Sequence, residues 1–370
     1  MIDPKSGRDA RVASKLPRIL FFNVNGSGMG HLNRCLAYAR RLRGRARPFF
    51  FSLASAIEII EEMGFEADYF VSHYWSSSST FGWNSELAVR LGLMLERVRP
   101  DAVVFDGTWP FKGLLTACET YGSPVLVWSN RGLLKADTKT VPVDEALFDL
   151  VIQPGELGAT EARSSLANGG ARLTVPPVCL LEDDELLDRA AARDALGLQQ
   201  AARFVLFSLG PGNLKDVAGI GHGLIAAFEA AGFQVVWARA PISVRDVELP
   251  PGVLPVSVYP LARYLRAFDA FVGAGGYNTC CELVQSAVPA LLVPNAQLAD
   301  DQVRRARMVS AVMPAVVSAC ETEPERKAAV DALLRMLPAA ASAPRTVPMN
   351  GASLAADEII ARIAEKRRTH

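Results

Sequence analysis

Short apolar runs alternate with amphipathic stretches of helical length along the whole sequence. A strand buried on both faces has a short, continuous apolar run, and a helix that covers it has an amphipathic pattern. This alternation is typical of α/β proteins, in which helices cover a parallel sheet. In the first half of the chain it predicts strands at 18–24, 47–53, 67–71, 101–105, 124–129 and 149–152.

A break in this alternation divides the chain. The stretch TVPPVCLLEDDELLD at 174–188 combines prolines with acidic residues, and a strand with a glycine loop, RFVLFSLGPGN, follows it. The 370 residues are enough for two domains with separate cores. We predict two Rossmann-like, doubly wound domains, at 1–180 and 181–350, that face each other across a cleft. A final helix at 351–370 has a packing that the sequence leaves open. Ligands of such sheets bind at the carboxyl ends of the strands.

The composition argues against nucleic acid as a partner and against a membrane span. Basic and acidic residues number 39 each, so no overall field attracts a polyanion. The six cysteines lack CxxC spacing, which is typical of reduced core residues in a cytoplasmic protein. No run approaches the roughly 20 apolar residues of a bilayer span. We interpret the basic run RRLRGRAR at 40–47 as a solvated helix end, with peripheral contact at the inner membrane face as the alternative.

The glycine loop NGSGMGHLNRC at 25–35 follows the first predicted strand. A dinucleotide fingerprint needs a third glycine where this chain has His31, and an acidic residue after the second strand, where RPFFFSL ends without one. A nicotinamide site is therefore disfavoured. We expect Gly28 and Gly30 to let a ligand approach the backbone, and His31 to lie at the start of a helix.

The stretch FVGAGGYNTCCELVQSAVPALLVPNAQLADDQVRRARMV at 271–309 is the most informative part of the second half. After a buried strand, Gly275 and Gly276 form a tight turn before a helix. The amides of that helix start, with the side chains of Asn278 and Thr279, suit a phosphate. Further polar groups follow at Glu282, which can accept from both hydroxyls of a ribose, and at Asp301 and Gln302, which can bind sugar hydroxyls. Together these residues predict a nucleotide-sugar site.

The same stretch resembles the donor-binding signature of the GT-B glycosyltransferases, especially the UDP-sugar enzymes with the pattern HCGWNSxxE, GVP and DQ, and the peptidoglycan N-acetylglucosaminyltransferases that form lipid II. Tyr277 stands in the place of the tryptophan, and the other residues match in order: Gly276, Asn278, Thr279 for serine, Glu282, Pro289, Asp301 and Gln302. The resemblance implies that Glu282 holds the ribose, that Asn278 and Thr279 hold the diphosphate, and that Asp301 and Gln302 hold the sugar.

Two departures from the signature concern the phosphate and the base. Ala274 replaces the first histidine of the motif, so its phosphate contact must come from elsewhere. The resemblance offers the loop SLGPGN as a second phosphate site, with Ser208, Gly210, Gly212 and Asn213. Val258 replaces the aromatic residue that stacks on uracil, so the identity of the base stays open.

A base is the remaining requirement of inverting sugar transfer, because the attacking hydroxyl must lose its proton. The GxGH pattern resembles the N-terminal motif of the same family, which implies that His31 is this base. A helix N-terminus also favours a neutral imidazole. Asp106, at the end of the strand DAVVF, is the expected partner of its other nitrogen; the alternative is that Asp106 caps the helix near Pro110.

The acceptor site is the least defined. The serine-rich loop SHYWSSSSTFGWN offers Trp75 and Trp83 as aromatic faces for an acceptor, and Arg131 as a contact for an acceptor phosphate. The alternatives are a plain surface loop and a surface arginine. The acidic pairs Asp183–Asp184 and Asp300–Asp301 are contiguous and lack DxD spacing, so we expect no metal and no cofactor beyond the sugar donor.

We therefore predict an inverting, metal-independent glycosyltransferase, with a nucleoside diphosphate sugar, expected to be a UDP-sugar, as donor. The hydroxyl acceptor is a lipid-linked saccharide, a polysaccharide or a secondary metabolite. Two alternatives stay open. GHLNRCLAYARRL is also similar to the GHxxRCLxLAxxL segment of nucleotide-sugar hydrolases of pseudaminic acid synthesis, in which water replaces the acceptor. A non-catalytic nucleotide-sugar binding module would keep the phosphate loops and Glu282 without needing His31.

Overall fold

The computed structural model describes residues 16–24, 28–122, 124–130, 132–138, 143–157, 163–167, 170–209, 217–239, 248–295, 299–340 and 350–369. Two sheets organise these residues. The strands of the first sheet are β1 Arg18–Asn23, β2 Arg47–Ser52, β3 Glu66–Tyr69, β4 Ala102–Asp106, β5 Val125–Ser129, β6 Leu150–Pro154, β7 Arg163–Ala167 and β8 Gly170–Val175. The strands of the second are β9 Phe204–Ser208, β10 Gln234–Ala238, β11 Leu254–Val256, β12 Ala270–Gly273, β13 Ala290–Leu292 and β14 Ala315–Val317.

The helices lie between these strands and at the end of the chain. They are α1 Gly30–Arg41, α2 Ile57–Glu62, α3 Thr80–Val98, α4 Lys112–Tyr121, α5 Arg189–Leu196, α6 Val217–Ala230, α7 Tyr277–Ser286, α8 Gln302–Val312, α9 Glu323–Ala340 and α10 Gly351–Thr369.

Both sheets have a doubly wound order. The first is β3-β2-β1-β4-β5-β6-β8-β7 and the second is β11-β10-β9-β12-β13-β14. The paired strands are parallel, except that β7 runs antiparallel to β8. In each sheet the order reverses beside the first strand, β1 or β9, so that a crevice opens at the carboxyl ends of the strands there. The predicted pair of doubly wound α/β domains is confirmed.

Alternating side chains of the first strand explain its two-layer core. Ile19 and Phe21 pack on the layer that contains α1, whereas Leu20 and Phe22 pack on the layer that contains α3. Successive side chains of a strand point to opposite faces, and both faces are covered here. The continuous apolar run ILFF at 19–22 is the consequence of this double burial.

The C-terminal helix α10 packs on the first sheet's layer of helices, although it follows the second domain in the chain. Small and apolar residues form its buried face: Ala352, Ala355, Ala356, Ile359 and Ile363. They belong to the same core cluster as α1. At the far end of the helix, Arg367 donates to Asp101, with an Nη2–Oδ1 distance of 2.6 Å. The chain therefore crosses between the domains twice, which ties the first domain to both ends of the second.

The basic run at 40–47 has partners within the protein. Arg40 pairs with Glu185, and Arg41 pairs with Glu182, both in the segment that joins the domains. Arg45 pairs with Asp357 of α10. These arginines hold the interdomain segment and the C-terminal helix against α1.

Candidate active site

The carboxyl edge of the first sheet carries a row of buried polar residues. Ser52, Asn23, Asp106 and Ser129 end neighbouring strands and stand in register. All four are fully buried. Buried polar groups are destabilising unless they are hydrogen-bonded, so this row requires partners. The start of α1 supplies partners for Asp106.

His31 is the second residue of α1, and its Nδ1 lies 2.6 Å from Oδ1 of Asp106. An ionised carboxylate only accepts hydrogen bonds, so we assign a proton to Nδ1, and Nε2 is then the basic nitrogen of the neutral ring. His31 is 5% exposed and Asp106 is 0% exposed. Helix α4 begins at Lys112 without a side-chain cap, so Asp106 does not serve as its cap. The structure brings together the two residues that the sequence pairs.

Arg34 is a site residue that the sequence analysis missed. Its Nε donates to Oδ2 of Asp106 at 2.9 Å, and its Nη2 donates to Oδ1 at 2.6 Å. The guanidinium thus holds both oxygens of one carboxylate, in the fork geometry that arginine forms best. The available signal is its position three residues after His31, because residues three apart share a helix face.

The surroundings of Asp106 keep it ionised. Burial alone would raise the pKa of this carboxyl, but the Arg34 charge and the His31 hydrogen bond outweigh burial and lower the pKa to about 2. Ser129 Oγ also donates to Oδ2 at 2.6 Å. The hydroxyl hydrogen of Ser129 is used there, so Tyr38 donates to Ser129 across 3.2 Å. The result is a fixed negative charge beside the imidazole.

The second domain presents the start of α7. Gly276 is the N-cap residue, no side chain caps this helix end, and its first turn contains no acidic residue. Asn278 and Thr279, in the first turn, are half-buried. Gly275 is required by packing, because a Cβ added there would lie 2.7 Å from the backbone oxygen of Gln302. The free amides and the dipole of such a helix end favour an anion.

The starts of α1 and α7 meet across the domain boundary. Asn278 Nδ2 lies 3.5 Å from the backbone oxygen of Gly30. The Arg34 guanidinium carbon lies 5.6 Å from the ring centroid of Tyr277, the first residue of α7. A Cβ added at Gly28 or at Gly30 would meet nothing within 4 Å, so open space borders this loop. His31, the predicted general base, and Asn278 and Thr279, the predicted phosphate contacts, thus belong to one site.

Glu282 lies one turn further along α7 and is half-buried. Burial raises the pKa of its carboxyl to about 8. The Glu282 charge also acts on the phenol of Tyr259, whose pKa is raised chiefly by burial. Tyr259 in turn donates to Oδ1 of Asn33 in α1 at 2.8 Å, and half-buried Val258 precedes it. The predicted ribose and base contacts therefore lie beside α1.

Asp301 and Gln302 both have partners within the fold. Asp301 is the N-cap residue of α8 and accepts from the amide of Arg304 at 3.0 Å. Gln302 is 5% exposed, and its Oε1 accepts from the amide of Asn295 at 2.9 Å. The preceding residue, Asp300, forms a β-bridge with Leu134 of the first domain. Loops of both domains therefore meet at the predicted sugar contact.

Of the four residues predicted for the second phosphate loop, the structure describes Ser208. Ser208 is the last residue of β9 and is half-buried. Four other predicted site residues lie outside the described residues: Arg131, Gly210, Gly212 and Asn213.

Trp83 is not an acceptor contact, which corrects the sequence prediction. It is 1% exposed, and its Nε1 donates to the backbone oxygen of Val71 at 2.9 Å. Its ring packs against Phe70 and Phe111 within the core. The aromatic residues of the serine-rich loop predicted an acceptor site, but the first turns of α3 direct this ring inward. Trp75 differs, since it is 61% exposed.

The described residues contain neither a cluster of metal ligands nor a helix that could span a membrane. No three His, Cys, Asp or Glu side chains among them are grouped as a metal ion would require. None of the helices in the described ranges combines the length and hydropathy needed to cross a bilayer.

The two facing doubly wound domains define the GT-B glycosyltransferase fold. A glycosyltransferase of kitacinnamycin superposes with a TM-score of 0.61 at 19% identity, over 94% of this chain and 99% of that one. MurG of Acinetobacter baumannii superposes with a TM-score of 0.57 at 13% identity, over 93% and 99%. The resemblance to GT-B glycosyltransferases is thereby confirmed at the level of fold.

A curated protein is similar in sequence over a shorter range. It is the UDP-N-acetylglucosamine–N-acetylmuramyl-(pentapeptide) pyrophosphoryl-undecaprenol N-acetylglucosamine transferase of Bacillus licheniformis, 25% identical over 225 residues. The match covers 54% of this chain and 55% of that protein, so it spans about half the length of the relative. No protein-family model matches the sequence.

Proposed function

We propose that this protein is an inverting, metal-independent glycosyltransferase that moves a sugar from a nucleoside diphosphate to a hydroxyl acceptor. The observation that supports this most is the placement of the buried His31–Asp106 pair of the first domain beside the start of α7 in the second. A base and an anion-binding helix end then flank one space. Sugar transfer requires both, because a proton leaves the acceptor while a diphosphate leaves the sugar.

The donor would lie along the second domain. Its diphosphate would meet the free amides at the start of α7 and the side chains of Asn278 and Thr279. Glu282 would accept hydrogen bonds from the ribose hydroxyls, and Asp301 and Gln302 would bind the sugar. UDP is the expected nucleotide. Because Val258 replaces the aromatic residue that stacks on uracil, the test below includes nucleotides with other bases.

The reaction would be a single displacement. Nε2 of His31 takes the proton of the acceptor hydroxyl as its oxygen forms a bond to the anomeric carbon. The bond between that carbon and the diphosphate oxygen breaks, and the leaving diphosphate keeps the electron pair. Attack from the opposite face inverts the anomeric centre. Asp106 stabilises the imidazolium that forms, and the α7 amides stabilise the charge on the diphosphate.

The hydroxyl acceptor would enter from the first domain, where Trp75 offers an exposed aromatic face. The similar proteins include a transferase for a lipid-linked saccharide and a glycosyltransferase of kitacinnamycin. A lipid-linked saccharide, a polysaccharide and a secondary metabolite are therefore the acceptor classes to test, with the protein acting in the cytoplasm or at the inner membrane face.

A panel of nucleotides and one pair of variants test this proposal. A ligand at saturation raises the melting temperature by mass action, so UDP-sugars should stabilise the protein more than dTDP- or GDP-sugars. His31→Ala should keep donor affinity within about threefold and reduce turnover by about 10²-fold or more. His222→Ala is the matched control, because His222 is an exposed residue of α6. Unchanged turnover in His31→Ala would remove His31 from the mechanism.

The products separate the proposal from its alternatives. A transferase yields a glycosylated acceptor with inverted configuration, whereas a nucleotide-sugar hydrolase releases free sugar at the same rate with and without acceptor. A binding module shows donor-induced stabilisation and no turnover. Loss of activity in EDTA that is restored by added Mg²⁺ would contradict the metal-independent mechanism.

A further inference from the structure

Arg34 contacts both members of the His31–Asp106 pair. Besides its two hydrogen bonds to the carboxylate, its Nη2 lies 3.0 Å from Nδ1 of His31. The alternative tautomer, with Nδ1 as an acceptor from Arg34, would place a ring lone pair 2.6 Å from a carboxylate oxygen. Repulsion at that distance disfavours it, so Nδ1 carries a proton and faces the guanidinium. Arg34 is 2% exposed, so water screens little of its charge.

The other side of Arg34 faces the second domain. Its guanidinium carbon lies 5.6 Å from the ring centroid of Tyr277, and that of Arg305 lies at the same distance from the same ring. The phenol of Tyr277 accepts from the amide of Val178 at 2.9 Å and donates to the backbone oxygen of Gly155 at 3.0 Å. The ring is thus fixed, and Arg34 is held between it and the carboxylate.

We infer that Arg34 is a positioning residue for the proposed base: it fixes the Asp106 carboxylate against His31, and its charge opposes a second proton on the imidazole. This inference rests on the proposed function for its effect on catalysis. A carboxylate bound to one imidazole alone strongly favours the imidazolium, which is not a base. A carboxylate already paired with a guanidinium favours it less, because a permanent positive charge lies beside the ring. The ring therefore stays neutral, and its Nε2 can accept a proton.

The other titratable groups around the pair support this assignment. Cys35 and Tyr38 face it from α1, and Tyr277 faces it from α7. Burial raises the pKa of all three groups, so they stay neutral at ordinary pH. Asp106 of β4 stays ionised, since its pKa is lowered to about 2. The charge that a substitution at position 34 changes is consequently the guanidinium itself.

Two substitutions separate charge from geometry. Arg34→Lys keeps a positive charge but loses the fork, and Arg34→Met keeps an apolar stem and loses both. Arg193→Lys is the matched control, because Arg193 is also buried, also donates to a carboxylate and also stacks on an aromatic ring, but its partners are Asp269 and Phe204 of the second domain. All three variants lose an arginine of similar burial, so a general loss of stability would affect all three.

The first measurement is the imidazole titration by side-chain NMR, which needs no substrate. The chain has four histidines, and His31→Gln assigns the relevant signal. In Arg34→Met we expect the His31 titration to move to higher pH by about one unit or more, the effect of removing a like charge at close range. Arg34→Lys should move it by less than half as much, and Arg193→Lys should leave it in place.

The second measurement is turnover against pH. Arg34→Lys should lower kcat by about tenfold or more, with KM for the donor nearly unchanged, because a bidentate carboxylate contact is lost. In Arg34→Met the acidic limb of the profile should also move to higher pH. Wild-type kcat in Arg34→Lys would overturn the positioning role, and an unchanged His31 titration in Arg34→Met would overturn the charge role. Should Arg34→Met fail to fold, the comparison of the pH profile of Arg34→Lys with that of Arg193→Lys decides.

The two proposals can fail separately. If the titration moves as expected but no nucleotide sugar is turned over, the proposed function is wrong and the electrostatic role of Arg34 stands. If His31→Ala abolishes transfer while both Arg34 variants match the control, the proposed function stands and the role of Arg34 is wrong.

Discussion

At the scale of single residues, the site depends on two carboxylates with opposite environments. Asp106 is buried but surrounded by donors, and its pKa is lowered to about 2. Burial raises the pKa of Glu282 to about 8. Burial raises the pKa of a carboxyl, and only cations or hydrogen-bond donors reverse that effect. Asp106 is thus a permanent anion beside His31, and Glu282 can change its charge near neutral pH.

Glu282→Gln tests the raised pKa of Glu282. Between the unfolded value of 4.5 and the folded value of about 8, the folded protein holds a proton that the unfolded chain has lost. Stability therefore falls as pH rises through this range. The variant has no such charge, so its free energy of unfolding should match the wild type near pH 4.5 and exceed it by on the order of 1–2 kcal/mol near pH 9, after allowance for solvent screening. Urea unfolding at the two pH values measures this difference.

Near pH 9, where the Glu282 carboxyl is ionised, the same variant should lose donor affinity by about 10- to 100-fold, because a neutral amide accepts from ribose hydroxyls less strongly than a carboxylate does. Glu229→Gln, at an exposed position of α6, is the control and should change neither property. A variant that binds the donor as the wild type does would remove Glu282 from the proposed ribose site.

Sequence patterns predicted His31 and Asp106, because a glycine loop and a strand end mark their positions. Arg34 carries no such mark. Its partner is 72 residues away, and an arginine on a helix is usually solvated. The prediction that Trp83 contacts the acceptor was wrong for a related reason. The sequence around a tryptophan in a polar loop is the same whether its ring faces solvent or the core.

At the scale of elements, the close approach of α7 and α8 depends on Gly275. Gly275→Ala would place a Cβ 2.7 Å from the backbone oxygen of Gln302, and backbone cannot move aside as a flexible side chain can. We expect a loss of about 1–3 kcal/mol in the free energy of unfolding, the usual effect of overpacking, with weaker donor binding. Thermal unfolding with and without UDP measures both.

Gly276→Ala is the matched control for stability. The nearest atom to its added Cβ would be Thr279 Oγ1 at 3.9 Å, an ordinary contact. Its φ of −67° also suits alanine. If the two variants had equal stability, the close approach at position 275 would not constrain these helices.

Element positions followed from sequence more readily than element packing. Apolar runs predicted the strands, because burial on both faces excludes polar residues from them. The packing position of α10 could not be predicted from the sequence, because its face of small residues could cover any exposed helical layer. The choice is made by contacts distant in sequence, such as Arg367 with Asp101, 266 residues apart.

At the scale of the whole molecule, a buried ionic contact holds the two domains together. Arg305 of α8 donates to both oxygens of Glu156, which follows β6, at 2.8 Å each. It also donates to both oxygens of Asp300, at 2.9 and 2.8 Å. A guanidinium that is 0% exposed is stable only while such partners neutralise it. The close contact between the two domains therefore depends on the charge of Glu156.

Glu156→Gln tests this coupling. The amide keeps the shape of the carboxylate, but it removes one of the two anions around Arg305, so the domains should separate more often. Hydrogen exchange should become faster at the amides of 153–157 and at the start of α8, while the amides of β4 in the core keep their protection.

Glu145→Gln is the matched control: Glu145 is similarly buried and pairs with Arg172, but both belong to the first domain. It should lower stability without faster exchange at the domain boundary. Equal exchange at that boundary in both variants would mean that the ion pair with Arg305 does not set the cleft, and that the crossings of the chain at 176–188 and before α10 hold it instead.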